Sequence, residues 1–108
     1  MKLAYAFPRE LNNARDNNWP LVIPLGVVEY HGPHCAYGCD ALVPEKLLEE
    51  LDNRNKEMVL APTFWYGPAS YAVAPAKTDA SINVDYDGFK KMFEGIFESL
   101  LRSGFRNI

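Results

Sequence analysis

Histidine and cysteine are scarce in this chain, and what there is lies in one place. The 108 residues hold two histidines and two cysteines, all between His31 and Cys39. Basic residues form no cluster: 11 Lys and Arg stand against 14 Asp and Glu, for a net charge of −3 and a pI near 5.3. The sequence therefore carries no electrostatic footprint for nucleic acid or an anionic membrane surface. No apolar run approaches the ~18 residues of a membrane-spanning helix. The opening MKLAYAFPRE is cut at Pro8 and Arg9, too early for the apolar segment of a secretory signal. The expectation is a cytoplasmic protein with both thiols reduced. There is no internal repeat and no low-complexity tract.

What is present is an ordinary globular balance, 48% hydrophobic and 23% charged, and a length that fits one domain, 1–108. PRELNNARDNN (8–18) is polar, and part of it predicts a short helix closed by its Asn/Asp cluster. WPLVIPLGVVE (19–29) is nearly continuous in apolar residues, which suits a strand covered on both faces. Its Pro24 points to an edge, a bulge or the strand's end. PEKLLEELDNRN (44–55) predicts a helix with Pro44 in its first turn and a stripe of Leu47, Leu48 and Leu51. EMVLAPTFWYG (57–67) predicts a second strand. The Ala/Pro-rich segment 68–84 reads as a loop with a short strand near Ser81–Val84. From 85 to 105, Phe89, Met92, Phe93, Ile96, Phe97, Leu100 and Leu101 recur at helical spacing, with Asp85 and Gly104 as end caps. The last residues, RNI, look like the opening of a further strand. Strand, helix, strand, helix defines an α/β class: a layered, mostly parallel sheet with flanking helices.

The chemistry is concentrated in GVVEYHGPHCAYGCD (26–40), directly after the first strand. Sites in open α/β sheets form at the carboxyl ends of strands. Glu29 and His31 stand two apart, so an extended backbone sends both side chains to one face. Gly32 and Pro33 turn the chain away, and Asp40 arrives as the chain returns. Carboxylate plus imidazole suits Zn²⁺, Mn²⁺ or Fe²⁺ rather than Ca²⁺. Two carboxylates also allow a pair of ions ~3.5–4 Å apart. A water activated in such a site titrates near ~7 and becomes a nucleophile at neutral pH. Plainer roles exist for each group. Asp40 suits a helix cap, His34 a hydrogen bond to backbone or ligand, and Cys35 and Cys39 small packing residues.

The whole string PLGVVEYHGPHCAYGCDALVPEKL resembles the signature of the creatininase family, the creatinine amidohydrolase-like proteins. Pro24, Gly26, Glu29, His31, Gly32, Pro33, His34 and Asp40 fit that signature in register. The resemblance implies a layered α/β fold and a two-metal hydrolase site acting on non-peptide C–N bonds. In it, Glu29 binds one metal, His31 the other, Asp40 bridges them, and His34 plays a supporting catalytic role. It further implies a divalent cofactor, most simply Zn²⁺ with Mn²⁺ or Fe²⁺ as substitutes, a small-molecule amide substrate and a homo-oligomer. APTFWYG resembles the family's second conserved strand, and SLLRSGFRNI the helix and strand opening that precede its Asn-Gly-His loop. That loop and a further acidic ligand fall outside this sequence, so the resemblance spans about the first half of the family's domain. The chain departs from the pattern at Cys35, Ala36 and Tyr37, at Cys39 where Thr is common, and in the loop 70–78.

Two other readings compete with an enzyme. One is a catalytically incomplete fragment or non-catalytic metal-binding module. The other is a structural Zn²⁺ site of His31, His34, Cys35 and Cys39. The apolar face of the last predicted helix adds an expectation of self-association.

Overall fold

The two apolar runs meet as neighbouring parallel strands, β1 (Leu21–Val22) and β2 (Val59–Leu60), with Leu21 opposite Val59 and Val22 opposite Leu60. The structure is a computed structural model that describes residues 1–69 and 80–108. The regular strands are far shorter than the runs that contain them, and proline is the reason. Val59 N–H donates to Pro20 O at 2.8 Å and Ala61 N–H to Val22 O at 2.9 Å. Pro24 and Pro62 then offer no N–H, so the ladder lapses. It resumes at a single parallel bridge, Leu25 with Phe64, where Gly26 N–H donates to Phe64 O and Phe64 N–H to Pro24 O, both at 2.9 Å.

Segments at either side extend this small sheet. Lys2 bridges Leu60 in parallel, and Leu60 N–H donates to Met1 O at 2.8 Å. On the opposite side Leu21 N–H donates to Asn107 O at 2.8 Å. The strand opening expected at 106–108 is thus present as one backbone bond, not as a regular strand. Ser81–Val84 is not a strand either; it is tied by isolated bonds, Ile82 N–H to Val28 O and Val84 N–H to Gly67 O. The part of the expected loop from 70 to 79 lies outside the described residues.

Among the described residues three α-helices accompany the sheet. A single 3-10 turn, Leu3–Tyr5, precedes α1 (Pro8–Asp16). Pro8 suits the first helical position, and Phe7 N–H donates to Glu10 Oε2 at 2.7 Å. Asn17 and Asn18 close the helix, Asn18 in a left-handed conformation at φ 51°. Helix α2 (Cys39–Arg54) starts five residues before the expected Pro44, because Gly38 O accepts from Ala41 N–H and Leu42 N–H. Pro44 is tolerated inside the helix at the cost of the one bond it would have made to Asp40 O.

Helix α3 (Tyr86–Arg102) lies within the expected bounds. Asp85 Oδ2 accepts from Gly88 N–H at 3.0 Å. At the other end Gly104 takes φ 103°, Gly104 N–H donates to Leu101 O and Phe105 N–H to Leu100 O. This is a Schellman ending, with Leu100 packed against the core cluster that contains Phe105.

The core joins Ala14, Leu21, Val59, Ala61 and Phe105, with Leu3, Leu11, Trp19, Ile23 and Leu100 packed around them. The helix stripes are covered less than their periodicity predicts. In α2 the expected Leu47 and Leu51 are exposed, and only Ala41 is buried. In α3 no residue is fully buried. Phe89, Phe93 and Phe97 stack along its surface, and Phe64 meets Phe93 edge-on at 6.2 Å. No helix of the described residues is long and apolar enough to cross a membrane.

Candidate metal centre

The core gathers around Leu21 and Val59, and the motif loop leaves from the opposite, carboxyl end of β1. Three local features shape that loop. Glu29 N–H donates to Tyr37 O at 2.9 Å, closing 29–37 on itself. Tyr30 N–H donates to Ser81 Oγ at 2.9 Å, and the Tyr30 and Tyr37 rings lie 5.8 Å apart. Gly32 turns the chain at φ 89°, a conformation other residues take only with strain. The closed loop delivers the chain directly into the first turn of α2, where Asp40 is the second residue.

The result is a convergence on one nitrogen. His31 Nε2 lies 3.0 Å from Asp40 Oδ2 and 3.8 Å from Glu29 Oε1. The Glu29 side chain is only 7% exposed, and Glu29 is the one buried charged residue among the described residues. A carboxylate that deep is costly unless positive charge or donors face it. Asp40 is half-exposed and is the second residue of α2.

Cys39 joins them. Its Sγ lies 3.7 Å from Asp40 Oδ1. Burial pushes the Cys39 thiol above its ordinary pKa, and the adjacent Asp40 charge pushes it further. His31, Cys39 and Asp40 offer one ligand atom each, all within 4.8 Å of one another, the one such group of three found among the described residues. Donors on one tetrahedral Zn²⁺, at ~2.0–2.3 Å from the metal, stand roughly 3.3–3.8 Å apart. The spacings of this donor set therefore fit a divalent ion after small side-chain adjustments.

Not every candidate is gathered in. His34 and Cys35 are exposed. The His34 ring lies against Gly32, where an added Cβ would come 2.9 Å from Cε1. The four residues of the structural Zn²⁺ reading therefore do not assemble into one group. Cys39, which the sequence offered mainly as packing, sits beside the two residues that the signature singled out. Its place immediately before Asp40 was the available signal, but two cysteines four apart gave no reason to prefer it to Cys35.

A parallel sheet beside helices, with a carboxylate-imidazole-carboxylate cluster at the strand ends, defines a layered α/β protein with a candidate metal centre. The chain matches the family Creatininase, creatinine amidohydrolase, over residues 7–108, and it belongs to that family. Among solved structures it is similar to one described as creatininase with Mn, at 20% identity and a TM-score of 0.84, covering 98% of this chain and 42% of that one. A mutant creatininase complexed with creatine gives the same identity, TM-score and coverage. A mutant creatininase of Zn-Zn type follows at 18% identity and TM-score 0.74, covering 95% of this chain and 41% of that one. These likenesses show the creatininase fold. The chain spans about two fifths of the length of the structures it matches. No curated protein is matched by the sequence.

Proposed function

We propose that this chain, as the N-terminal portion of a creatininase-like domain, supplies the first metal-binding loop of an amidohydrolase that cleaves the C–N bond of a cyclic or other small amide. The observation that carries the reading is the position of His31 Nε2 between the Asp40 and Glu29 carboxylates, at 3.0 and 3.8 Å. Glu29, His31 and Asp40 hold divalent metal, Zn²⁺ by donor type with Mn²⁺ or Fe²⁺ as substitutes. Family membership and the Mn and Zn-Zn descriptions of similar structures support this cofactor class. When bound, such an ion polarises an amide carbonyl and activates water at neutral pH.

The chain's own residues do the positioning. Glu29 N–H is anchored to Tyr37 O, so the buried carboxylate is fixed where the loop begins and ends. Asp40 is anchored by the start of α2, and both its oxygens face donors: His31 on one side, Cys39 on the other. His34, exposed at the tip of the loop, takes a supporting role toward substrate. The same reading places the protein in the cytoplasm and gives it further copies of itself as partners, with no role for nucleic acid or membrane.

A second reading is a non-catalytic metal-binding module, since both histidines of these 108 residues lie in one loop. One experiment addresses both. The purified chain is loaded with Zn²⁺, dialysed, and analysed for metal beside Asp40→Ala, and both are assayed for amide hydrolysis. Bound metal in the parent and at least a tenfold weaker site in the variant is the expected result. Equal metal in the two would remove Asp40 from the site. Metal without hydrolysis would select the module over the enzyme.

A further inference from the structure

We propose that Cys39 is itself a metal ligand, so that the site takes one sulfur donor beside the Asp40 carboxylate and the His31 imidazole. The inference rests on the metal-binding reading above and goes beyond the Glu29, His31 and Asp40 set. Its basis is the division of labour at Asp40. One carboxylate oxygen, Oδ2, faces His31 Nε2 at 3.0 Å, and the other, Oδ1, faces Cys39 Sγ at 3.7 Å. Three different donor types thereby fall within 4.8 Å of one another. Cys35, the other thiol, is exposed and outside the group.

Local structure makes the arrangement durable. Cys39 and Asp40 are the first two residues of α2. Gly38 just before them lies against Trp65, where an added Cβ would be 2.8 Å from Cζ3. The sulfur is separated from this anchored backbone by one rotatable side-chain bond, so its position relative to Asp40 is set by a single torsion. Coordination replaces the S–H bond with an S–metal bond and passes one proton to solvent.

The chemical consequence is metal preference. A thiolate favours borderline-soft ions such as Zn²⁺ and Co²⁺ over Mn²⁺ and Mg²⁺, which prefer oxygen. A carboxylate-imidazole site without sulfur discriminates less.

The probe is Co²⁺ alone, titrated into the 108-residue chain under reducing conditions and followed by absorption spectroscopy. An intense thiolate-to-cobalt charge-transfer band in the near ultraviolet is expected, together with weaker visible cobalt bands. In Cys39→Ser the charge-transfer band disappears, Zn²⁺ binds at least tenfold more weakly, and Mn²⁺ binding changes little. Cys35→Ser retains the band, and circular dichroism checks that both variants are folded. Visible cobalt bands without charge transfer, or a band lost in Cys35→Ser and kept in Cys39→Ser, would overturn the sulfur ligand and leave the carboxylate-imidazole site standing. Absence of any cobalt binding would overturn both proposals.

Discussion

Gly26 lies directly against Ala41: a Cβ added to Gly26 would stand 2.4 Å from the Ala41 Cα. The carboxyl end of the first apolar run thus touches the first turn of α2, backbone to backbone. This contact brings the Glu29 and Asp40 segments together across the loop between them. Glycine is required here for space, since no side chain fits between a strand end and a helix at that distance.

The contact predicts the behaviour of Gly26→Ala. A methyl group at 2.4 Å from backbone must push α2 away, because backbone has no rotamer with which to yield. The expected loss is about 1–3 kcal/mol of stability, the usual cost of overpacking, read by urea denaturation. Zn²⁺ affinity should fall with it, since Asp40 moves with the helix while Glu29 and His31 do not. Unchanged stability and unchanged Zn²⁺ binding would show that the contact sets neither.

Glu49 predicts a distinct acid response. Hydrogen bonds from Lys2 and Lys46, followed by their charges, lower its pKa from an ordinary 4.5 to about 2. The lengths are 2.8 and 2.9 Å. A group whose folded pKa is depressed stabilises the fold above the unfolded pKa and ceases to do so as pH falls through the folded one. The contribution of Glu49 is therefore intact above about pH 4.5 and lost toward pH 2. Because the cluster is on the surface, salt should weaken it. Carbon-detected NMR titration of the glutamates should find Glu49 titrating lowest among them, and Lys2→Ala with Lys46→Ala should return it toward the ordinary range. A Glu49 that titrates normally in the parent protein would contradict the pairing.

Two helix surfaces predict association. Val43, Leu47 and Leu51 recur every fourth residue on α2 and are 66%, 67% and 45% exposed. On α3, Met92, Phe97 and Leu101 are exposed as well. Apolar surface arranged along a helix in this way favours burial against another copy. Light scattering of the 108-residue chain should give a mass above that of a monomer, and Leu47→Lys with Phe97→Lys should lower it. A monodisperse monomer at micromolar concentration would count against association.

Much of the architecture was legible in local pattern. Helix α3 was readable because its stripe, its Asp85 cap and its Gly104 ending all agree, and each acts within a few residues. The short α1 was readable in part, from the Asn/Asp cluster that closes it. The parallel α/β class followed from the alternation of apolar runs with helical periods. The start of α2 was not readable, because Pro44 is equally at home in a first turn and, with one bond forfeited, a little further in. Strand length was legible only in part. Pro24 already pointed to an edge, a bulge or the strand's end, but the run 57–67 was read as a strand through Pro62. An apolar run reports burial, whereas a ladder also needs an N–H at each alternate position. The exposure of Leu47 and Leu51 was missed because periodicity identifies a face without saying what covers it.

For the candidate site, alternation of side chains along an extended backbone placed Glu29 and His31 on one side, and the signature string marked Asp40 as their companion. By itself, then, the sequence determined the chemical inventory of the loop, the elements on either side of it and the family to which it belongs, since these depend on residue type and short-range spacing. Only the tertiary structure decided that Cys39 rather than Cys35 or His34 stands beside His31 and Asp40, and that the Gly26–Ala41 contact draws the two ends of the loop together. Those outcomes depend on where a loop closes in space, and a closure between residues distant along the chain has no local residue pattern that encodes it.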